Sequence, residues 1–458
     1  MTKRLMRVIA LIAVLALVLV ACGTPGGDET TTTVAPGTTA APGTTATTAA
    51  GDTTTTTEAT VECTEPIKIG LLQPLTGGLA ASGGDAKDGF ELYWETFGPQ
   101  AAGCDIEYQV VDTAGNPDTA LQLVDQLVDS YGADIIVGEL LANVTLALAD
   151  RLKDKDVIFM SPIGSADDLT QREVAKYPNF TRAGGWTSSQ TSHVLGDWAY
   201  QQGYRNVATI CTDYAFGHEM CGGFVDVFTH ADGTGGTVDP AEQLWNPLGS
   251  TDLGTYVTQL QGFAPDAVFA LQVGASVSDL LKNWSDFGLM DELPMLGGEV
   301  MLDVSNIRNV PPEQVLGLIS SGHWAEGLDA PATQEFVTVF DDATDRIPSY
   351  YAAATWTAAQ YIKATVEAMN GDISDRAATL EVMKGLQLDT PFGPSVLDEY
   401  GNPVYDIYIR QVVERDDGRV WNIVIDTYQD IDQFWPKTAE EYLAQPVYSR
   451  DFQGNAGG

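Results

Sequence analysis

Residues 157–170 read Val157-Ile158-Phe159-Met160-Ser161-Pro162-Ile163-Gly164-Ser165-Ala166-Asp167-Asp168-Leu169-Thr170. An apolar run of strand length stops at Ser161-Pro162, and a loop of small residues then leads to two acids. Gly164 and Ser165 leave backbone N–H groups uncovered, and in an open α/β sheet ligands bind outside the carboxyl ends of the strands. The stretch reads as a buried strand opening into one wall of a small-molecule cleft.

Upstream of it, strand and helix signals alternate. Strands are predicted over 67–72, 105–112, 134–138 and 157–161, and helices over 85–97, 118–131 and 144–153. In the second helix Leu121, Val124, Leu127 and Val128 recur at helical spacing. Gly77-Gly78 and Gly83-Gly84 are expected to form a flexible turn before the first helix. Strands separated by helices at this rhythm imply a parallel sheet with helices on both faces.

Downstream the alternation starts again near Trp186. Helices are predicted over 189–202, 217–230, 253–262 and 275–287, with strands over 206–211, 237–243 and 267–271. A faint internal repeat sets Tyr131-Gly132-Ala133-Asp134-Ile135-Ile136 against Phe263-Ala264-Pro265-Asp266-Ala267-Val268, each after a helix. Two similar α/β lobes are the simplest account. A long helix over 350–369 and strands over 406–414 and 420–426 follow both series, so the chain is expected to cross between lobes more than once.

The first residues address the protein for export. Lys3, Arg4 and Arg7 precede an uncharged apolar run that ends at Leu19-Val20-Ala21-Cys22, the pattern of a signal peptide over 1–21. Cys directly after Leu-Val-Ala looks like a lipobox, with Cys22 as the acylated new N-terminus. Residues 22–61 are almost entirely Thr, Ala, Gly and Pro with a few acids, too few large apolar groups to offset the entropy of ordering. They are expected to be a disordered tether, holding the domain on the order of 35 Å from the membrane.

The chain carries 63 acidic against 23 basic residues, a formal net charge of −40. Because Lys3, Arg4 and Arg7 lie in the leader, the exported chain is more acidic still. Such a charge argues against nucleic acid and anionic membrane surfaces as partners. Beyond Cys22, four cysteines remain, an even count in an exported protein. Cys63 and Cys104 each precede a core strand, and Cys211 and Cys221 bracket a strand-to-helix turn. The expected pairs are therefore Cys63 with Cys104 and Cys211 with Cys221. No CxxC occurs and none of His193, His218, His230 and His323 has zinc-site spacing, so no metal is expected.

Catalytic signatures are missing from the sequence: no GxSxG, no HExxH and no GxxxxGK[ST]. What stands out is a set of small or polar residues at predicted strand ends, namely Ala142-Asn143, Gly164-Ser165, Phe216-Gly217 and Gly298-Glu299. Free N–H groups at helix starts favour an anionic ligand group. A lone acid, Glu299, suits a ligand ammonium, and Phe216 and Tyr351 supply apolar walls. These are the parts of a zwitterion site.

Ile67-Lys68-Ile69-Gly70-Leu71-Leu72, Pro74-Leu75-Thr76-Gly77, Ser161-Pro162 through Thr170, Asp213 through Gly217 and Pro265-Asp266-Ala267-Val268, taken in order, resemble the type I periplasmic binding proteins of the leucine/isoleucine/valine class. These are the substrate-binding subunits of branched-chain amino-acid ABC transporters. The resemblance implies an α/β fold of two Rossmann-like lobes with parallel central sheets and three crossovers, near Gly184, Ser321 and Phe392. Lobe 1 would comprise residues 62–184 plus 322–392, and lobe 2 residues 185–321 plus 393–458. The family's ligand loop falls on Gly164 and Ser165, its ammonium-binding acid on Glu299, its aromatic before Gly217 on Phe216, and a further aromatic on Tyr351. Its serine after the third strand aligns with Ala142, where Asn143 stands as a substitute, and its first-loop aromatic aligns with Ser82.

The expectation is thus a non-enzymatic, lipid-anchored, extracytoplasmic receptor without cofactor, a monomer that delivers an amino acid-like ligand to an ABC permease. Binding of aromatic acids, other small organic acids or amides, or a sensor role, is the alternative; a periplasmic hydrolase is the least supported. Tyr214-Ala215-Phe216-Gly217 is similar to members of the aromatic-acid group.

Overall fold

The computed structural model describes Cys63 and residues 65–454. The signal peptide over 1–21, the lipidation site Cys22 and the tether over 22–61 lie outside the described residues.

The first half of the chain alternates strands with helices. β1 (Ile67–Gln73) leads to α1 (Ala80–Phe97), then β2 (Gln100–Ala101), β3 (Cys104–Asp112), α2 (Pro117–Gln126), β4 (Ile135–Val137), α3 (Ala142–Leu152), β5 (Ile158–Met160) and β6 (Phe180–Thr181). These strands form one sheet in the order β2-β3-β1-β4-β5-β6. All neighbours are parallel except the short β2. The central strands read as apolar runs because helices cover both faces of a parallel sheet. Helix α1 starts five residues earlier than expected, so Gly83 and Gly84 lie inside it and not in a turn.

The second half builds a larger sheet. It takes α4 (Ser188–Gln201), β7 (Val207–Asp213), α5 (Ala215–His230), β8 (Gln243–Pro247), α6 (Gly254–Phe263), β9 (Ala267–Leu271), α7 (Ala275–Asp286), β10 (Met295–Gly297), α8 (Val304–Ile307) and β11 (Ile319–Gly322). Next come α9 (Pro331–Thr344), α10 (Tyr350–Ala368), α11 (Arg376–Gly385), β12 (Leu388–Thr390), β13 (Gly393–Leu397), β14 (Pro403–Glu414), β15 (Val420–Ile431) and α12 (Ala439–Leu443). The nine-stranded order is β12-β13-β14-β11-β10-β9-β7-β8, with β15 on β14. The five strands from β7 to β11 are parallel and the later ones antiparallel. α10 returns to pack on α1, beside the first sheet.

One expected strand moves. Of the expected residues 237–243, Thr237 makes a single bridge to Asn206, Pro240–Glu242 make a tight helical turn capped by Asp239, and only Gln243 belongs to a strand. The ladder with β7 is formed by β8, where Leu244 and Asn246 are buried. β12, placed by the sequence before the third crossover, pairs with β13 at the edge of the nine-stranded order.

Buried strands divide their side chains between two cores by the two-residue period of the pleat. In β9, Ala267, Phe269 and Leu271 join the main core, while Val268 and Ala270 join a second core with α6 and α7. Two disulfides staple the fold, Cys63–Cys104 with Cα atoms 5.1 Å apart and Cys211–Cys221 at 6.5 Å, the pairs expected from the sequence.

Candidate functional site

The parallel strands of both sheets direct their carboxyl ends at one cavity. From the first sheet come Leu140 after β4 and Ile163 and Ser165 after β5. From the second come Tyr214 and Phe216 after β7, Val273 after β9 and Val300 after β10. Trp186, between β6 and α4, and Tyr350 and Tyr351, at the start of α10, complete the ring of side chains that lines it. All ten are buried except Tyr214, which is half-buried. Five are aromatic, Ser165 carries the one aliphatic hydroxyl, and none is charged.

The loop after β5 is held by Arg182. Its fully buried guanidinium donates to the carbonyls of Gly164 (2.9 Å), Ala166 (2.6 Å) and Trp186 (2.9 Å) and to Thr170 Oγ1 (3.2 Å). One cation thereby fixes the loop and the backbone of a cavity aromatic together, using donors in a rigid fork. A Cβ at Gly164 would stand 1.9 Å from Thr145 Oγ1, so the residue is glycine for packing, and Ile163 and Ser165 on either side of it face the cavity. Ser165 Oγ is 3.0 Å from Ser188 Oγ. Asp167 Oδ1 accepts from Ser189 N, and Asp167 N donates to Glu219 Oε1. Burial pushes the Asp167 carboxyl up to about 6 and the Glu219 carboxyl well above its usual range.

Tyr350 ties three walls. Its hydroxyl accepts from Trp186 Nε1 at 3.0 Å and donates to Ile163 O at 3.3 Å. Behind Trp186, His323 stacks on the indole, and the His323 Nδ1 lies 2.8 Å from Glu299 Oε1.

Of the residues expected at the site, Ser165, Phe216 and Tyr351 line the cavity. Ala142 and Asn143 open α3 next to Leu140 and do not line it. The start of α3 is already occupied, since Glu139 Oε2 accepts from Leu141 N at 2.6 Å while Thr113 Oγ1 donates to Glu139 Oε1 at 2.5 Å. Glu299 is fully buried beside the cavity-lining Val300. Its Oε1 accepts from His323 N at 3.2 Å and its carbonyl accepts from Arg410 at 2.7 Å, while Oε2 has no hydrogen-bond partner. Ser82 lies on α1, with its Oγ 2.9 Å from Ser305 Oγ, in the contact between the two halves of the molecule.

In that contact the chain also approaches itself backbone to backbone. Gly274 has φ +58°, and a Cβ there would stand 2.5 Å from Gly78 O, so two backbones meet with no side chain between them. Arg308, after α8, pairs with Asp85 of α1, and Arg346 reaches the same carboxylate at 2.5 Å.

Sequence reasoning missed Leu140, Ile163, Trp186, Tyr214, Val273, Val300 and Tyr350. The signals available for two of them were an aromatic straight after Gly184-Gly185 and a tyrosine pair at a helix start. Chemically, α5 begins at the cavity with no side-chain cap on its first turn. Its free N–H groups and positive dipole end suit an anionic group.

The model of the family described as periplasmic binding protein matches residues 66–419. The chain is 26% identical to Leu/Ile/Val-binding protein homolog 6 of Brucella abortus (strain 2308), over 81% of this chain and 94% of that protein. A solute binding protein of an ABC transporter from Rhodopseudomonas palustris BisB5, solved with 3,4-dihydroxy benzoic acid, superposes with a TM-score of 0.74 at 25% identity, covering 80% of this chain and 98% of that one. An ABC transporter substrate-binding protein from Sphaerobacter thermophilus does so with a TM-score of 0.73 at 28% identity, over 80% and 99%.

Proposed function

This chain belongs to the periplasmic binding protein family, type I, of the leucine/isoleucine/valine class, and we propose that it captures a small aromatic carboxylate between two lobes for delivery to an ABC permease. The observation that carries the ligand class is the cavity wall, five aromatic side chains and one serine with no charged group. The ring of the ligand stacks among Trp186, Phe216 and the tyrosines, where aromatic pairs add to area burial. Its carboxylate takes Ser165 Oγ and the open start of α5. The complex with 3,4-dihydroxy benzoic acid in a relative of the same fold supports this reading.

Lobe 1 is taken as residues 62–184 plus 322–392, and lobe 2 as 185–321 plus 393–458. They close by hinge motion, and the ligand shifts that equilibrium by its affinity difference between the open and closed states. Leu19-Val20-Ala21-Cys22 supports export and lipid anchoring at Cys22, which tethers the monomer outside the cell membrane. Among the described residues no helix is long and apolar enough to cross a membrane.

An amino acid is the second reading. It is favoured by Glu299 Oε2, buried with no hydrogen-bond partner next to Val300, an atom that an ammonium would satisfy. Titration calorimetry with 3,4-dihydroxybenzoate, 4-hydroxybenzoate and leucine decides between them. Binding of either benzoate with leucine silent is the expected result; leucine alone overturns the aromatic reading, and silence from all three overturns both.

A further inference from the structure

The loop after β10 carries a carboxylate that reaches across the cleft. Asp303 is 1% exposed. Its Oδ1 accepts from Ser305 N at 2.9 Å and from Ser305 Oγ at 2.6 Å, within its own lobe. Its Oδ2 accepts from Tyr350 N at 2.8 Å, the first residue of α10, a helix that packs on α1 of the other lobe. α10 has its own cap as well, since Ser349 Oγ accepts from Ala352 N at 3.3 Å. A helix capped from inside its lobe is thus capped a second time from outside it.

What the second cap holds is the cavity wall. Tyr350 and Tyr351 line the cavity, and the Tyr350 hydroxyl bonds both Trp186 and Ile163. On its other side Asp303 leads, through Ser305, to the Ser82 hydroxyl on α1. The polar chain Ser82, Ser305, Asp303 and Tyr350 therefore runs from the lobe seam to the ligand wall. Separating the lobes strips Tyr350 N–H of a charged acceptor, and a charge-assisted bond is roughly twice as strong as a neutral one. A ligand that rests on Tyr350 and Tyr351 in turn favours the helix position in which Asp303 is bonded.

We infer that Asp303 is a positioning residue that couples lobe closure to the placement of the Tyr350–Tyr351 wall. The inference rests on the two-lobe reading above and goes beyond it by naming the group that transmits closure.

The test is a distance measurement in the full chain. Spin labels on Glu95→Cys in α1 and Lys282→Cys in α7, with both native disulfides intact, report the gap between lobes by double electron–electron resonance. The parent is expected to show a short-distance population without ligand, and Asp303→Ala to lose at least half of it. Ser349→Ala, which removes the cap inside one lobe, is expected to lower Tm and leave the distances unchanged, so that loss of helix stability alone is separated from loss of coupling. If Asp303→Ala does not fold, Asp303→Asn is measured and is expected to shift the distribution in the same direction by less. A parent open throughout, or an Asp303 variant with the parent's distribution, overturns the inference. Adding 3,4-dihydroxybenzoate or leucine separates the two claims. If neither probe closes the parent while Asp303→Ala still opens it, the ligand reading falls and the role of Asp303 stands; if a probe closes parent and variant alike, Asp303 falls and the ligand reading stands.

Discussion

His323 lies nearly flat on Trp186, with ring centroids 5.4 Å apart and planes 26° from parallel. The same imidazole stacks with Tyr405 at 5.2 Å and 26°. The cavity aromatic is therefore backed by a second aromatic layer.

His323→Ala removes that layer. It leaves a void behind Trp186 and takes the nearest ring from the buried Glu299 carboxylate. Loss of an aromatic-sized core group costs about 3 kcal/mol, and the freed indole weakens ligand binding. Chemical denaturation checks the first effect and calorimetry with 3,4-dihydroxybenzoate the second.

Ser165→Ala and Glu299→Gln should separate in their effects. Ser165→Ala deletes the aliphatic hydroxyl on the cavity and is expected to lower affinity for an aromatic carboxylate about tenfold, the equivalent of about 1.4 kcal/mol. Glu299→Gln is expected to leave that affinity within about threefold, because the side chain does not line the cavity. An amino-acid ligand would reverse the order, with Glu299→Gln the more damaging. Dissociation constants for both variants measure this.

Glu139 gives the fold a pH dependence. Burial pushes its carboxyl from 4.5 up to about 7, against the hydrogen bonds from Thr113 and Leu141 that favour the charged form. A group that titrates higher folded than unfolded contributes stability that is complete below the unfolded value and is lost as pH rises through the folded one. The loss therefore falls between about pH 4.5 and pH 7. Glu139→Gln should raise Tm relative to the parent at about pH 7.5 and lose that advantage near pH 5. Thermal melts across this range give the answer, and a constant difference would contradict it.

The two disulfides should contribute unequally. Cys63–Cys104 closes a sequence separation of 41 residues and Cys211–Cys221 one of 10, which on the chain-entropy account stabilise by about 4 and about 3 kcal/mol. Cys63→Ala/Cys104→Ala is expected to lower stability more than Cys211→Ala/Cys221→Ala. Paired urea unfolding curves read out the difference.

Much of the fold was legible because its parallel strands are buried on both faces and so appear as plain apolar runs. β1, β5 and β9 are of this kind. β6, two residues long, has no such run to see, and β8 was placed early because Val238 looked like strand while Pro240 turned the chain. At the site, Ser165 and Phe216 were readable from local pattern, being the ends of strands. Glu299 was readable in the same way as a lone acid after a strand, but its neighbours His323 and Arg410 were not, since they reach it only through the order of the nine-stranded sheet. The partner of Ser82 was hidden for a related reason: its hydroxyl lies 2.9 Å from that of Ser305, a residue far away in the sequence.

The meeting of Gly78 and Gly274 bears on sequence as well as shape. A Cβ at Gly274 would stand 2.5 Å from Gly78 O and 2.9 Å from Leu79 Cδ2, so no side chain enters there without one backbone giving way to the other, and the pair of glycines sets a limit on which substitutions the chain can accept.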